Sequence, residues 1–170
     1  MSVSEITETR QYLTFKLGNE VFGTDVAKVR EVLDLTPITA IPRTPEFMAG
    51  VINLRGSVVP VVDFRLCFGM SRTEKTRNTC IVVVEVVLDK ESIVVGALAD
   101  SVEEVIDLEP EQIEAAPRIG AHIRTDFIRG MGKRDTQFIM ILDIDRVFSA
   151  EDLAAVRAQE SGKALLETAA

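Results

Sequence analysis

The chain contains an internal repeat, and this repeat constrains its fold more than any other feature of the sequence. Residues 21–35 and 94–108, at an offset of 73, are identical at seven of fifteen positions. A second block aligns at an offset of 80 and shares a glycine, an aspartate and a phenylalanine: Gly50 and Gly130, Asp63 and Asp143, Phe68 and Phe148. Apolar β-rich segments align a little by chance, but Gly, Asp and Glu positions that match in one order favour a duplication.

The repeat predicts two similar all-β halves. Each copy consists of a hairpin, a segment rich in Val, Glu and Asp, a Pro-rich crossover and a strand that ends in Asp. Halves of about 65 to 75 residues bury little core alone, so we expect them to share one. Closing each half into a small barrel would also remove most exposed sheet edges. A continuous apolar groove between such halves would be a docking site for a partner helix.

The most informative stretch of the repeat covers residues 50–64. Two apolar, strand-like runs flank a four-residue break at residues 53–56, whose Asn and Gly tolerate the positive φ angles of a turn. The break predicts a loop between two strands with Arg55 near its tip, where the guanidinium could meet a carboxylate of another protein. A solvated loop charge is the competing interpretation.

The two copies differ at this loop. Arg55 aligns with Asp135, so we expect that the fold itself does not require an arginine there, which favours a functional role for Arg55. Glu31 aligns with Glu104, and a glutamate kept in both copies favours a structural role for that position. Glu31 could combine both roles by holding Arg55 in a local ion pair.

Composition and missing motifs disfavour several functions. The net charge of −8 argues against nucleic-acid binding, because phosphate neutralisation needs clustered Lys and Arg. The chain has a single histidine, His122, and no paired cysteine ligands, phosphate-binding glycine loop or hydrolase motif. We therefore expect no enzyme, no metal and no cofactor. No secretory signal or run long enough to cross a bilayer is visible, so we expect a cytoplasmic protein with Cys67 and Cys80 reduced.

The two ends of the chain carry weaker signals. Residues 1–10 are polar and residues 161–170 lack a sustained apolar pattern, so both are expected to be flexible tails. Between them, Ser149 is a suitable N-cap for a predicted helix over residues 151–160.

Motifs spread over residues 11–155 resemble the CheW family, the bacterial chemotaxis coupling proteins. The most specific is IPRTPEFMAGVINLRGSVVPVVD at residues 41–63. The others are YLTFKLG at 12–18, VREV at 29–32, VGALADSV at 95–102 and FIRGMG at 127–132. The resemblance implies a fold of two intertwined, five-stranded, SH3-like β-barrels that share a core, followed by a short C-terminal helix. It implies one CheW-like domain over residues 11–155, with subdomains over approximately 19–70 and 79–148 and with strand 12–17 joined to the second.

The resemblance also implies an adaptor without catalytic activity. Proteins of this family join the cytoplasmic tips of chemoreceptors to the histidine kinase CheA, which they bind through its regulatory domain. The implied location is the receptor array on the inner face of the membrane, without membrane insertion. The Glu and Arg of the matching motifs are implicated in receptor binding, and here these are Glu31 and Arg55. Four neighbours complete the expected site, two as further receptor contacts and two as turn or interface glycines: Val29 and Asn53, Gly50 and Gly56.

Two alternatives remain open at this point. One is a CheW-like module of another two-component pathway. The other belongs to a different class, a small-ligand-binding β-barrel protein that uses the cleft between the barrels. Tight binding of a small molecule would favour the second, and capture of a kinase and a receptor would favour the adaptor.

Overall fold

The structure is a computed structural model that describes residues 8–88, 90–115 and 127–147. The predicted helix over residues 151–160, the tail 161–170 and His122 lie outside the described residues, as do residues 1–7. The strands are β1 (Arg10–Leu17), β2 (Glu20–Asp25), β3 (Val29–Asp34), β4 (Met48–Leu54), β5 (Ser57–Asp63), β6 (Cys80–Leu88), β7 (Glu91–Ala99), β8 (Ser101–Leu108), β9 (Ile113–Glu114), β10 (Ile128–Arg134) and β11 (Gln137–Leu142). The short helices are α1 (Phe64–Cys67) and α2 (Ile144–Val147), and single 3-10 turns lie at Val26–Lys28 and Pro110–Gln112.

The strands form two sheets, which confirms the predicted all-β class. One sheet has six strands in the order β8-β1-β2-β11-β10-β9, and the other has five in the order β3-β6-β7-β5-β4. The sixth strand of the larger sheet is the two-residue β9, which pairs with β10. Its counterpart in the smaller sheet is a single bridge between Thr39 and Val51. Without these short additions, each sheet has five strands, the number that the family resemblance implied for each barrel.

Each sheet combines strands of both repeat copies. The β1–β2 hairpin of the first copy lies in the sheet that holds β8 to β11, and the β6–β7 hairpin of the second copy lies with β3 to β5. The two parallel pairings make this exchange reciprocal: Val61 pairs with Gly96, and their repeat equivalents Ile141 and Gly23 pair in the same way. Each half therefore needs the other to complete its sheet.

A shared core holds the two sheets together. Its buried residues come from β1, β2 and β11 of one sheet, from β4 to β7 of the other, and from the two short helices α1 and α2. Five phenylalanine rings run through it with centroid separations between 4.8 and 5.9 Å: Phe15, Phe22, Phe64, Phe68 and Phe127. Because this cluster covers one face and a separate apolar cluster covers the other, β6 is an almost unbroken run of apolar residues.

The segment before β3 combines the two structures that its spacing left open. Val26, Val29, Val32 and Leu33 fit a helical turn or a strand equally well. Residues 26–28 form a 3-10 turn that Asp25 caps, with its carboxylate accepting the backbone N–H of Ala27 at 2.9 Å. Residue 29 then begins β3, so the turn fixes the start of the strand that carries Glu31.

None of the helices formed by the described residues is long and apolar enough to cross a membrane.

Candidate functional site

The loop that carries Arg55 is a two-residue turn, shorter than the sequence predicted. Asn53 and Leu54 still pair with Val58 and Ser57, so only Arg55 and Gly56 connect β4 to β5. Their φ angles are +51° and +86°, as a tight hairpin turn of the type I′ kind requires. The prediction of a four-residue loop was wrong, because the backbone pairing of β4 and β5 continues through Asn53 and Leu54. The side chains of these two residues are polar or half-exposed, so they do not continue the apolar run that marks the strand in the sequence.

Asn53 holds the turn together. Its Oδ1 accepts the backbone N–H of Gly56 at 2.8 Å, which fixes the residue that follows Arg55. The equivalent turn between β10 and β11 has Asp135 at the position of Arg55, with φ at +58°. Both copies therefore keep the same left-handed conformation at this position, although the side chains differ. The structure gives Asn53 a turn-forming role.

Arg55 pairs with Glu31 through two hydrogen bonds. The two terminal nitrogens of the guanidinium each donate to one carboxylate oxygen of Glu31, both at 2.8 Å. The hydrogen bond from Arg55 lowers the pKa of Glu31, and the same bond raises the pKa of Arg55. The Arg55 side chain is 73% exposed and that of Glu31 is 26% exposed. The pair therefore orients the guanidinium and leaves most of it in contact with solvent.

The second copy contains a matching ion pair, which the sequence alignment did not predict. Arg134 donates to Glu104 at 2.8 Å, and Glu104 is the repeat equivalent of Glu31. Arg134 stands one residue before Asp135, so the arginine has moved from the turn into the last position of β10. The inference that the fold does not need an arginine at this loop was therefore incomplete: a Glu–Arg pair occurs in both copies. Its presence alone does not mark a site.

The surroundings of the two pairs differ more than the pairs do. Glu31 and Arg55 border an open groove of about 500 Å³, here named the Arg55 groove, between β3, the β4–β5 hairpin and the β6–β7 hairpin. More than half of its lining residues are apolar: Leu54, Val58, Val59, Val83, Ile93 and Val94. The Glu104–Arg134 pair borders a smaller groove of about 140 Å³, lined mainly by polar and charged residues. Apolar lining residues beside an exposed guanidinium are therefore a property of the five-stranded sheet and not of the six-stranded one.

One residue exchange accounts for part of this difference. Thr14 lies in the smaller groove, where its hydroxyl donates to the backbone oxygen of Glu104 at 2.7 Å and accepts the N–H of Glu104 at 3.1 Å. Thr14 pairs with Gly23 as Val83 pairs with Gly96, so Val83 is its equivalent in the Arg55 groove. Val83 offers an apolar surface where Thr14 binds the neighbouring backbone.

The charges next to the two grooves are also reversed. Beside the Arg55 groove, Arg30 pairs with Glu85 at 3.3 Å. At the equivalent positions of the other copy, Glu103 pairs with Lys16 at 3.6 Å. Exposed pairs of this kind contribute little stability, so the reversal changes the charge pattern that a partner meets rather than the fold.

Two other expected site residues have structural surroundings. Val29 is partly buried and packs against the shared core. Gly50 has a φ of +144°, and a Cβ built there would lie 2.2 Å from the backbone oxygen of Thr39. Gly56, in contrast, has no atom within 4 Å of such a Cβ. Of the six expected residues, the structure brings Glu31 and Arg55 together at a surface and places the others in the turn, the core or a tight backbone contact.

The side of the groove formed by Ile93 and Val94 was not predicted from the sequence. These residues belong to the second repeat copy, and only the exchange of hairpins brings them next to Arg55. Leu54 and Val58 are partly exposed because they lie next to the turn, and the predicted turn at Arg55 could have indicated this. Within the described residues, no group of three or more His, Cys, Asp or Glu side chains could hold a metal ion.

Comparisons with known proteins agree on one family. A sequence model of the CheW-like domain matches residues 11–152. The chain is 35% identical over 150 residues to the chemotaxis protein CheW of Klebsiella aerogenes, covering 88% of each chain. It is 34% identical to the chemotaxis protein CheW of Rhizobium meliloti, covering 86% of this chain and 92% of that one. The crystal structure of the scaffolding protein TtCheW from Thermoanaerobacter tengcongensis superposes with a TM-score of 0.73 at 34% identity, covering 84% of this chain and 94% of that chain.

Proposed function

This chain belongs to the CheW family, and from that membership we propose that it is a non-catalytic adaptor that couples the cytoplasmic tips of chemoreceptors to the histidine kinase CheA. The relatives are named chemotaxis proteins, and the similar solved structure is named a scaffolding protein. In this proposal the protein acts at receptor arrays on the inner face of the membrane and joins other proteins without altering them chemically.

One observation carries the assignment of the receptor side. The Arg55 groove combines an apolar lining with an arginine that is 73% exposed, and such a surface suits the apolar stripe of a helix that also carries an acidic residue. A guanidinium has five N–H donors, and Arg55 uses two of them, one on each terminal nitrogen, to bind Glu31. The remaining donors are available to a partner carboxylate while Glu31 keeps the side chain in place. We assign receptor contact to Arg55 and Glu31, with Leu54 and Val58 as apolar contacts.

The backbone supports the same role. Arg55 occupies a two-residue turn whose φ angles and Asn53 hydrogen bond are fixed by the hairpin. The guanidinium is therefore presented by a rigid element, which lowers the entropy that ordering it on a partner would cost. The kinase is expected to bind elsewhere on the molecule, through its own CheW-like regulatory domain, and no individual kinase contact is assigned.

Arg55→Asp tests the proposal, with Arg134→Asp as the matched control. Both variants remove an arginine from a Glu–Arg pair, one in each repeat copy, and both change the net charge equally. Aspartate is compatible with the left-handed turn, since Asp135 occupies that conformation in the second copy. The affinities for a receptor signalling fragment and for the CheA regulatory domain are measured by calorimetry, together with the melting temperature of each variant.

The expected result is selective. Arg55→Asp weakens receptor binding by about ten-fold or more, because it removes charge-assisted hydrogen bonds and places a like charge beside Glu31. Its kinase affinity and melting temperature stay close to those of the unaltered protein, and Arg134→Asp keeps receptor binding. Equal losses in the two variants, or parallel losses of receptor binding, kinase binding and stability in Arg55→Asp, would refute the receptor assignment.

A further inference from the structure

A second pocket lies where the parallel strands β2 and β11 end side by side. Thr24 pairs with Leu142 at this end, and both chains then turn, one into the 3-10 turn at residues 26–28 and the other into α2. The pocket encloses about 360 Å³ and is here named the Arg129 pocket; Arg129 comes from the neighbouring strand β10. It shares no lining residue with the Arg55 groove. The proposed receptor site therefore does not explain it.

The carboxylates of this pocket already have partners. Three ion pairs involve them: Arg10 with Asp25 at 2.9 Å, Lys28 with Asp145 at 2.9 Å, and Arg146 with Asp143 at 3.6 Å. Asp145 also accepts the backbone N–H of Val87 at 2.8 Å, and Asp25 caps the 3-10 turn. Each carboxylate of the pocket is thus paired with a cation other than Arg129, and Arg10 also pairs with Glu8 at 3.4 Å. Arg129 is the cation of this pocket that has no carboxylate partner among the described residues.

Arg129 and Thr24 both lack hydrogen-bond partners. Among the described residues, Arg129 forms no ion pair, and its Nε is buried without an acceptor. Thr24 is 1% exposed, and its hydroxyl is buried without a partner as well. Both residues line the pocket. Leaving a buried donor unsatisfied destabilises a fold, so two such groups in one pocket need a physical reason.

The repeat shows that the fold does not require these two side chains. Thr24 pairs with Leu142 as Ala97 pairs with Val62 in the other sheet, so alanine stands at the equivalent position. Arg129 lies in the register shift between Ile128 and Gly130, and Ala49 lies in the equivalent shift between Met48 and Gly50. The same bulge and the same strand pairing therefore form with alanine. The arginine and the threonine of the six-stranded sheet are therefore not needed for this bulge and this pairing to form.

We propose that the Arg129 pocket binds a carboxylate group. The guanidinium of Arg129 holds the carboxylate through its free N–H donors, and the Thr24 hydroxyl donates a further hydrogen bond. A single negative charge would pair with Arg129, which has no carboxylate partner among the described residues, whereas a doubly charged phosphate would bring a second negative charge close to the three aspartates. The carboxylate comes either from a free small carboxylic acid or from an acidic side chain of a protein, and the two sources are separated by the choice of probe.

Two probes test the pocket by NMR titration of the full-length protein. Sodium acetate represents a free carboxylate and a short peptide with one glutamate represents acidic side chains, each compared with sodium chloride at equal ionic strength. We expect saturable shifts of the Arg129 Nε–Hε and Thr24 amide signals with at least one probe and none with chloride. A response to acetate identifies a free carboxylate as sufficient, and a response to the peptide alone identifies an acidic protein segment. No saturable response to either probe would overturn the proposal.

Variants show whether Arg129 is responsible. Arg129→Gln is expected to weaken binding by about ten-fold or more, because it removes the charged donors. Arg72→Gln is the matched control, since it removes one exposed positive charge away from the pocket and should leave binding unchanged. Binding that persists in Arg129→Gln would overturn the proposal.

Stability without a probe separates a binding residue from a structural one. Arg129 has no described partner to lose, so Arg129→Gln should keep or raise the melting temperature of the free protein. Thr24→Val should do the same and still weaken binding, because it keeps the side-chain shape and removes the unpaired hydroxyl. A lower melting temperature in both variants would show that the two side chains support the fold, and the binding role would fall.

Discussion

Replacing Gly50 by alanine should destabilise the protein far more than replacing Gly56, although both glycines belong to the same hairpin. A Cβ at position 50 would lie 2.2 Å from the backbone oxygen of Thr39 and 2.9 Å from Cγ2 of Ile38. The contact cannot be relieved by rotating a side chain, because the nearest atom belongs to the backbone. Thr39 is also held by two hydrogen bonds of 2.9 Å to Val51, and moving it would break them.

The magnitude follows from three contributions at Gly50. A residue with a side chain at a φ of +144° is strained by roughly 1–3 kcal/mol. Overpacking against fixed neighbours costs roughly a further 1–3 kcal/mol. Each lost backbone hydrogen bond adds about 0.5–1.5 kcal/mol. With both hydrogen bonds counted, Gly50→Ala should therefore lower the free energy of unfolding by about 3–9 kcal/mol, a large part of the roughly 5–15 kcal/mol of an ordinary domain.

Gly56→Ala isolates the cost of the backbone angle. Its φ is +86°, and no atom lies within 4 Å of the added Cβ, so only a strain of about 1–2 kcal/mol is expected. Urea unfolding followed by circular dichroism measures both variants, provided that the slope of the transition is unchanged. Similar losses in the two variants, or a loss below about 1 kcal/mol for Gly50→Ala, would refute the tight contact with Thr39.

Three further predictions concern the whole fold. A fragment of residues 1–78 should give a poorly dispersed NMR spectrum, because its first hairpin belongs to a sheet completed by the second copy; native-like dispersion would contradict the exchange. Cys67→Ser and Cys80→Ala should leave receptor and kinase binding intact, since neither cysteine forms a disulfide, and a disulfide in thiol-trapped protein would be inconsistent with this. Burial raises the pKa of Asp100, but hydrogen bonds from Arg65 and a backbone N–H outweigh it and bring the pKa below its ordinary 3.8. The stabilisation that the Asp100 carboxylate contributes is complete above pH 3.8 and is lost as the pH falls through the lower pKa of the folded state. The difference in unfolding free energy between the protein and Asp100→Asn should therefore shrink below pH 3.8. A difference that is constant with pH would count against the lowered pKa.

The sequence predicted the parts of the site that depend on local chemistry. Asn and Gly around Arg55 predicted a turn, and the glutamate kept in both copies favoured a structural role for Glu31 that could include holding Arg55. Both follow from residue preferences over a few positions, so they are readable without a structure. The ion pair of Glu31 with Arg55 matches that expectation.

Contacts between distant segments were not predictable in the same way. The alignment showed that two copies exist, but identical positions do not reveal which copy supplies the hairpin of each sheet, so Ile93 and Val94 could not be placed beside Arg55. The shift of the arginine from the turn to Arg134 was also hidden, because a residue-by-residue alignment compares Arg55 with Asp135. In three dimensions a long side chain reaches the same glutamate from the neighbouring position.

Co-sedimentation of the protein with receptor signalling fragments and CheA, with kinase phosphorylation measured in the same samples, tests the proposed coupling most directly. The proposed coupling predicts that the protein brings the kinase into the receptor pellet and makes kinase phosphorylation depend on the receptor. Arg55→Asp should lose the receptor pellet while it still binds the kinase, and Arg134→Asp should behave like the unaltered protein. The proposed coupling would be contradicted if the kinase reached the pellet and responded to the receptor equally well with Arg55→Asp, or without the protein.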